Sequence, residues 1–147
     1  LLTLGSALAV VLLDQVSKAA IWLAMTPGES IPVIPGVFHI TYVLNPGVAF
    51  GMAPGASGLP ILASAAAIIG IILFHRRARG WMLRVGLGLA MGGAAGNLVD
   101  RLRFQGHVVD FLDFRVWPVF NLADSALVAA AGLILWDTMR SGKEDRR

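Results

Sequence analysis

Residues 96–124 read GNLVDRLRFQGHVVDFLDFRVWPVFNLAD, setting four aspartates (Asp100, Asp110, Asp113, Asp124) and three arginines (Arg101, Arg103, Arg115) between two strongly apolar segments. Charge is scarce elsewhere: of the 147 residues 56% are hydrophobic and 14% charged, and the mean hydropathy is +0.73. That much apolar surface exceeds what one globular core of this size hides. It is gathered into long uncharged runs, the pattern of membrane spans. Ionisable groups at the edge of such spans are costly and mark a functional site by default.

Working outward, residues 119–139 form a span after the stretch and residues 81–99 a span before it. The latter is rich in Gly86, Gly88, Gly92, Gly93, Ala94, Ala95 and Gly96, small residues that let helices approach closely. Residues 57–74 form another span, with Pro60 in its first turn where proline is tolerated, running into His75-Arg76-Arg77-Ala78-Arg79. Residues 1–25 form the first. No basic segment precedes it, and it carries Asp14 and Lys18 in its second half, which argues for a retained span over a cleaved signal.

Between the first two spans, residues 26–56 are punctuated by Pro and Gly around β-branched and aromatic residues. Residues 37–44 read as a strand, Asn45-Pro46-Gly47 as a turn and residues 48–50 as the start of a return strand. This predicts a small sheet at the membrane interface. Residues 100–118 are a polar connection and residues 140–147 a basic tail, so the chain is a single integral membrane domain.

Four alternating spans sort the charges. One side holds Arg76, Arg77, Arg79, Arg84, Arg140, Lys143, Arg146 and Arg147, eight of the twelve basic residues, against three acidic ones. The other holds Lys18, Arg101, Arg103 and Arg115 against six acidic residues. The positive-inside rule puts the first group, with both termini, in the cytoplasm. Asp14, Lys18, Asn45 and the whole 96–124 stretch then share the outer side.

Several constellations on that side are open to more than one reading. Asp14 and Lys18 share a helix face at i,i+4; they are a functional pair, an anchoring ion pair at the outer interface, or a lysine that snorkels to water. Asn97, Asp100 and Arg101 end the third span together, either as a helix cap or as a site in which the guanidinium holds a carbonyl or carboxylate. Asn121 and Asp124 open the fourth span, where an aspartate is favoured by the helix dipole. Asp110 lies among Val108, Val109 and Phe111. Brought together, Asp110 and Asp124 can share one proton and activate water as an aspartic-protease pair, with Asp113 an alternative to Asp110.

Other chemistries lack their signatures. There is no cysteine, no HExxH helix and no GxSxG elbow, and His39, His75 and His107 are scattered. No basic stripe interleaves with aromatics, so nucleic acid is not an expected partner. The competing class is a small transporter or channel subunit with Asp14, Lys18, Asp100 and Arg101 lining a polar path.

Taken in order, Asp14-Gln15-x-x-Lys18, Asn45-Pro46-Gly47-Val48-Ala49-Phe50-Gly51, Gly96-Asn97-x-x-Asp100-Arg101, Val108-Val109-Asp110-Phe111 and Phe120-Asn121-x-Ala123-Asp124 resemble the lipoprotein signal peptidase family, also called signal peptidase II. The resemblance implies a four-transmembrane-helix, membrane all-α bundle with a small periplasmic β-sheet (a cradle) and a short periplasmic helix between Arg101 and Trp117. It implies an aspartyl endopeptidase of the bacterial inner membrane that removes the signal peptide of prolipoproteins just before the diacylglyceryl-modified cysteine. Asp110 and Asp124 would be catalytic; Asn45, Asn97, Arg101 and Asn121 would position substrate or the aspartates; and Asp14, Lys18 and Asp100 would support them. No cofactor or metal is implied, the Gly-rich third span would leave room for the signal helix, membrane lipid would hold the acyl chains, and the cyclic peptide globomycin would inhibit.

Overall fold

The computed structural model describes residues 1–47 and 58–144. The return strand expected at residues 48–50, the first residue of the second span and the end of the basic tail lie outside the described residues. Four helices carry the molecule: α1 (Leu2–Ala24), α2 (Gly58–Phe74, continued by a 3₁₀ turn over His75–Arg77), α3 (Trp81–Arg103) and α4 (Leu122–Glu144). All four are long and apolar enough to cross a bilayer. Their outer surfaces are leucine-, isoleucine- and tryptophan-rich and exposed, as a lipid-facing surface requires.

Helix α3 is the hub, in contact with α1, α2 and α4. Its glycines make this possible. A Cβ on Gly92 would lie 2.7 Å from the Ala7 carbonyl oxygen of α1, and one on Gly93 would lie 2.6 Å from the Ala123 carbonyl oxygen of α4. These are backbone neighbours that cannot move aside, so the spacing between helices is set by the missing side chains. The third span therefore does not leave room for a foreign helix along these faces, contrary to the expectation: α1 and α4 already fill them. Helix α2 has no buried residue and touches mainly α3.

A three-stranded antiparallel sheet, ordered β1 (Ser30–Ile34), β2 (Phe38–Asn45), β3 (Val108–Asp113), caps one end of the bundle. The short helix expected between Arg101 and Trp117 is not present; β3 occupies that place. Its run Val-Val-Asp-Phe-Leu-Asp is buried at five of six positions, and it pairs along β2 from His39↔Asp113 to Asn45↔Val108. Helix α3 also continues to Arg103, so Asp100 and Arg101 sit on its last turns and not in a loop.

The β2–β3 register shifts between Ile40 and Val43, as at a bulge, where side-chain alternation breaks. Val43 and Asn45 then share the face of Asp110, while Thr41 faces Asp113. Tyr42 packs on Met25 and Val109, with Ile21, Leu44 and Phe104 around them. This cluster fastens the sheet to the ends of α1 and α3.

Candidate active site

Three polar layers stack where the sheet meets the helices. The deepest is centred on Lys18, which is 3% exposed. Its Nζ lies 2.8 Å from Asp14 Oδ2 and 2.9 Å from Asp100 Oδ2, and donates at 3.0 Å to Asn97 Oδ1. All three ammonium protons thus have acceptors, as a buried lysine requires. Gln15 Nε2 donates to Asp14 Oδ2, to Asp100 Oδ1 and to the Gly96 carbonyl. Asp14 Oδ1 accepts from the Ala123 N–H in the first turn of α4, and Asp100 Oδ2 accepts from the Val109 N–H. One ion cluster thereby ties α1, α3, α4 and β3 together.

The burial of that cluster decides one of the alternatives open in the sequence. Asp14 stands ten residues before the end of α1, about 15 Å of helix, and both members of the pair are buried inside the bundle. Lys18 does not snorkel.

The middle layer is made of amides. Asn97 Nδ2 donates to Asp124 Oδ1 at 2.8 Å, and Asn121 Nδ2 donates to Asp110 Oδ1 at 2.6 Å and to Asn97 Oδ1 at 3.1 Å. Asn121 is also the residue before α4. Its Oδ1 accepts from the Asp124 N–H at 2.9 Å while Asp124 Oδ2 accepts from the Asn121 N–H at 3.3 Å, the reciprocal arrangement of a capping box. Helix capping and membership of the polar site, alternatives at the level of sequence, are here the same bonds.

The top layer is the pair of carboxylates. Asp110 comes from β3 and is buried; Asp124 comes from the first turn of α4. Asn45 Nδ2 donates to Asp110 Oδ2 at 2.8 Å, with Asn45 Oδ1 held by the Gly47 N–H at 2.9 Å. Burial pushes the Asp110 carboxyl up to about 6; the Asn45 and Asn121 hydrogen bonds oppose the shift and the nearby Asp124 charge adds to it. A carboxyl with that pKa beside a second carboxylate can hold or release a proton near neutrality, which is what acid–base cleavage needs.

Asp113 is elsewhere. It faces the other side of β3, accepting from Thr41 Oγ1 at 2.7 Å and from the Arg115 N–H and Nη1 at 2.8 and 3.0 Å. Those donors, Thr41 first, hold its carboxyl below the usual range. It is a strand-end ion pair and no substitute for Asp110.

A family model described as signal peptidase (SPase) II matches residues 6–140. The chain belongs to the signal peptidase II family. The lipoprotein signal peptidase of Pelotomaculum thermopropionicum is 51% identical over 144 residues, 94% of each chain. That of Halothermothrix orenii is 48% identical over 139 residues, 92% of this chain and 95% of the relative. Two bacterial membrane enzymes solved by the in meso method, at 2.3 and 1.9 Å resolution, share the fold. The first has a TM-score of 0.86 at 31% identity, covering 97% of this chain and 90% of its own; the second has 0.84 at 32%, covering 92% and 91%. The chain is thus a multi-pass bacterial membrane protease of the aspartic type, and the transporter reading is not supported.

Within this signal peptidase II fold, two cavities meet at Asp124. One, of about 600 Å³, is walled by Phe114, Trp117 and Phe120 on one side and by Ser125, Val128 and Ala129 of α4 on the other. The second, about 370 Å³, lies between α2 and the α3–α4 pair, with Ala63, Ser64 and Ala67 facing Asn97 and Arg101. Arg101 also lies against Gly47, whose φ of +68° strains any L side chain and where a Cβ would stand 3.1 Å from Arg101 Nη2. Its Nε is buried without a hydrogen-bond partner among the described residues. Sequence reasoning passed over Gln15 as a bonding residue and Gly96 as a contact. A Cβ on Gly96 would stand 2.5 Å from Asp14 Oδ2; both Gln15 and Gly96 stand in the motifs quoted above, which assigned them no role.

Proposed function

We propose that this protein is an intramembrane aspartyl endopeptidase in which Asp110 and Asp124 cleave the signal peptide from diacylglyceryl-modified prolipoproteins, immediately before the lipidated cysteine. The observation that carries the reading is that two carboxylates from separate elements, β3 and α4, accept from the same residue beside two cavities: Asp110 Oδ1 from Asn121 Nδ2 and Asp124 Oδ2 from the Asn121 backbone N–H. One carboxylate takes a proton from water as the oxygen attacks the scissile carbonyl; the other, protonated, delivers its proton to the leaving amine as the C–N bond breaks. No cofactor enters this scheme.

Substrate parts are assigned by chemistry. The guanidinium of Arg101, whose Nε has no hydrogen-bond partner among the described residues, stands at the edge of the α2–α3–α4 cavity and suits the carbonyls of an extended peptide. The small residues Ala63 and Ala67 leave the width a peptide backbone needs. The aromatic-walled cavity on the other side of Asp124 suits acyl chains of the lipidated residue, which continue from it into membrane lipid. Asn45, Asn97 and Asn121 position the aspartates, with Asp14, Lys18 and Asp100 beneath them. We place the active site and the sheet on the periplasmic face of the inner membrane and both termini in the cytoplasm. The cyclic peptide globomycin would inhibit by occupying the cavities beside Asp124.

The test is conversion of a diacylated prolipoprotein by reconstituted protein. Asp110→Asn and Asp124→Asn should each fold yet lose activity by at least about a thousandfold, since an amide neither takes nor gives the proton. Full activity in either variant would remove that residue from the pair.

A further inference from the structure

A side-chain amide presents either its NH2 or its oxygen to a neighbour, and which one decides whether a nearby carboxylate is stabilised or repelled. Three amides adjoin the aspartate pair: Asn45, Asn97 and Asn121. Each is held in one orientation by a bond on its oxygen. The Asn45 oxygen accepts from the Gly47 N–H, the Asn121 oxygen from the Asp124 N–H, and the Asn97 oxygen from Lys18 Nζ at 3.0 Å and Asn121 Nδ2 at 3.1 Å. In consequence each turns its NH2 toward a carboxylate: Asn45 and Asn121 toward Asp110, Asn97 toward Asp124.

Of the three locks, two are backbone N–H groups that no substitution of a side chain removes. Only the lock on Asn97 includes a side chain from outside the layer, and it comes from another helix, 79 residues away in sequence. Rotating Asn97 by half a turn would point its NH2 at an ammonium and at a second NH2, and would point its oxygen at Asp124. We propose that Lys18 is a positioning residue for the cleavage reaction: through its bond to Asn97 Oδ1 it keeps the Asn97 NH2 directed at Asp124 Oδ1. This gives the α1 lysine a task beyond neutralising Asp14 and Asp100, and explains why the ammonium reaches past two carboxylates to a neutral amide. The inference rests on the assignment of Asp110 and Asp124 as the reacting pair.

The experiment is a double-mutant cycle on kcat and KM for a diacylated prolipoprotein, with Lys18→Met, Asn97→Ala and the double variant, each purified as folded protein. Because Lys18 acts on the reaction through Asn97, Lys18→Met should lower kcat by about ten- to a hundredfold with KM changed less than about threefold. In the Asn97→Ala background the same substitution should cost less than about threefold, because the amide it orients is gone. Losses that multiply across the cycle, or an effect confined to KM, would overturn the proposal and leave Lys18 a purely structural charge. Should Lys18→Met fail to fold, the charge-balanced pair Asp14→Asn/Lys18→Met takes its place in both backgrounds, referred to Asp14→Asn alone, and the same two outcomes are read. An unsubstituted protein that does not cleave the lipidated precursor would instead remove the proposed function itself.

Discussion

At the scale of single residues, the proposed chemistry turns on an aspartate that resists ionisation. Asp110 is raised to about 6 chiefly by burial. Below that pH it holds a proton; above it the pair loses its acid. In the free enzyme kcat/KM should therefore fall as pH rises through about 6, a limb read from a pH–rate profile. Asn45→Ala removes a donor that favours the ionised form, so the limb should move to higher pH; a limb that moves down or stays would contradict the assignment. Much of this site was legible because its members are short-range neighbours in sequence: Asp14 with Lys18, Asn97 with Arg101, Asn121 with Asp124. The cross-links were not. Spacing along α1 shows that Asp14 and Lys18 share a face, but nothing in it says that Asp100 and Asn97, some eighty residues on, complete the lysine's shell. Nor does spacing choose between Asp110 and Asp113. Three residues apart, they fall on opposite faces of β3, and which face meets the start of α4 is a matter of packing that no single-strand pattern carries.

At the scale of elements, α3 decides where the aspartates stand. Its glycines admit the backbone of α1 on one face and of α4 on another, and Ala123, whose carbonyl touches the face at Gly93, precedes Asp124. Gly93→Ala should therefore lower stability by about 1–3 kcal/mol, as overpacking against fixed backbone does, and should reduce activity by displacing Asp124. Gly70→Ala on α2 meets nothing within 4 Å and should be neutral or slightly stabilising. Unfolding midpoints in detergent would separate them, and equal effects would refute the packing account. The helices were readable from apolar runs because each is uniformly hydrophobic. The strand β3 was harder: buried on both faces, it lacks the alternation that reveals a half-exposed strand, and the connection that holds it was expected to contain a short helix.

At the scale of the whole molecule, asymmetry is the organising feature. The sheet, the ion cluster and both cavities gather toward the end of the bundle where α1 and α3 finish and α4 begins. Arg76, Arg77, Arg79 and Arg140 lie toward the opposite end. Ile31, Val33, Val37, Val116 and Trp117 are exposed around the sheet, a surface suited to the membrane interface. If basic residues set the orientation, a cysteine introduced at Ser30 should react with a membrane-impermeant thiol reagent added outside the inner membrane. Reaction only from the cytoplasmic side would invert the topology.

An enzyme confined to the bilayer with its carboxylates beneath a sheet is suited to a substrate that is itself anchored there by a signal helix and acyl chains. The central claim is that lipidation defines the substrate, so its most direct measurement is cleavage of one prolipoprotein offered with and without the diacylglyceryl group on its cysteine, in the same membranes. The account predicts conversion of the lipidated precursor to its shorter form and little or none of the unlipidated one. Equal cleavage of both, or of neither, would contradict it.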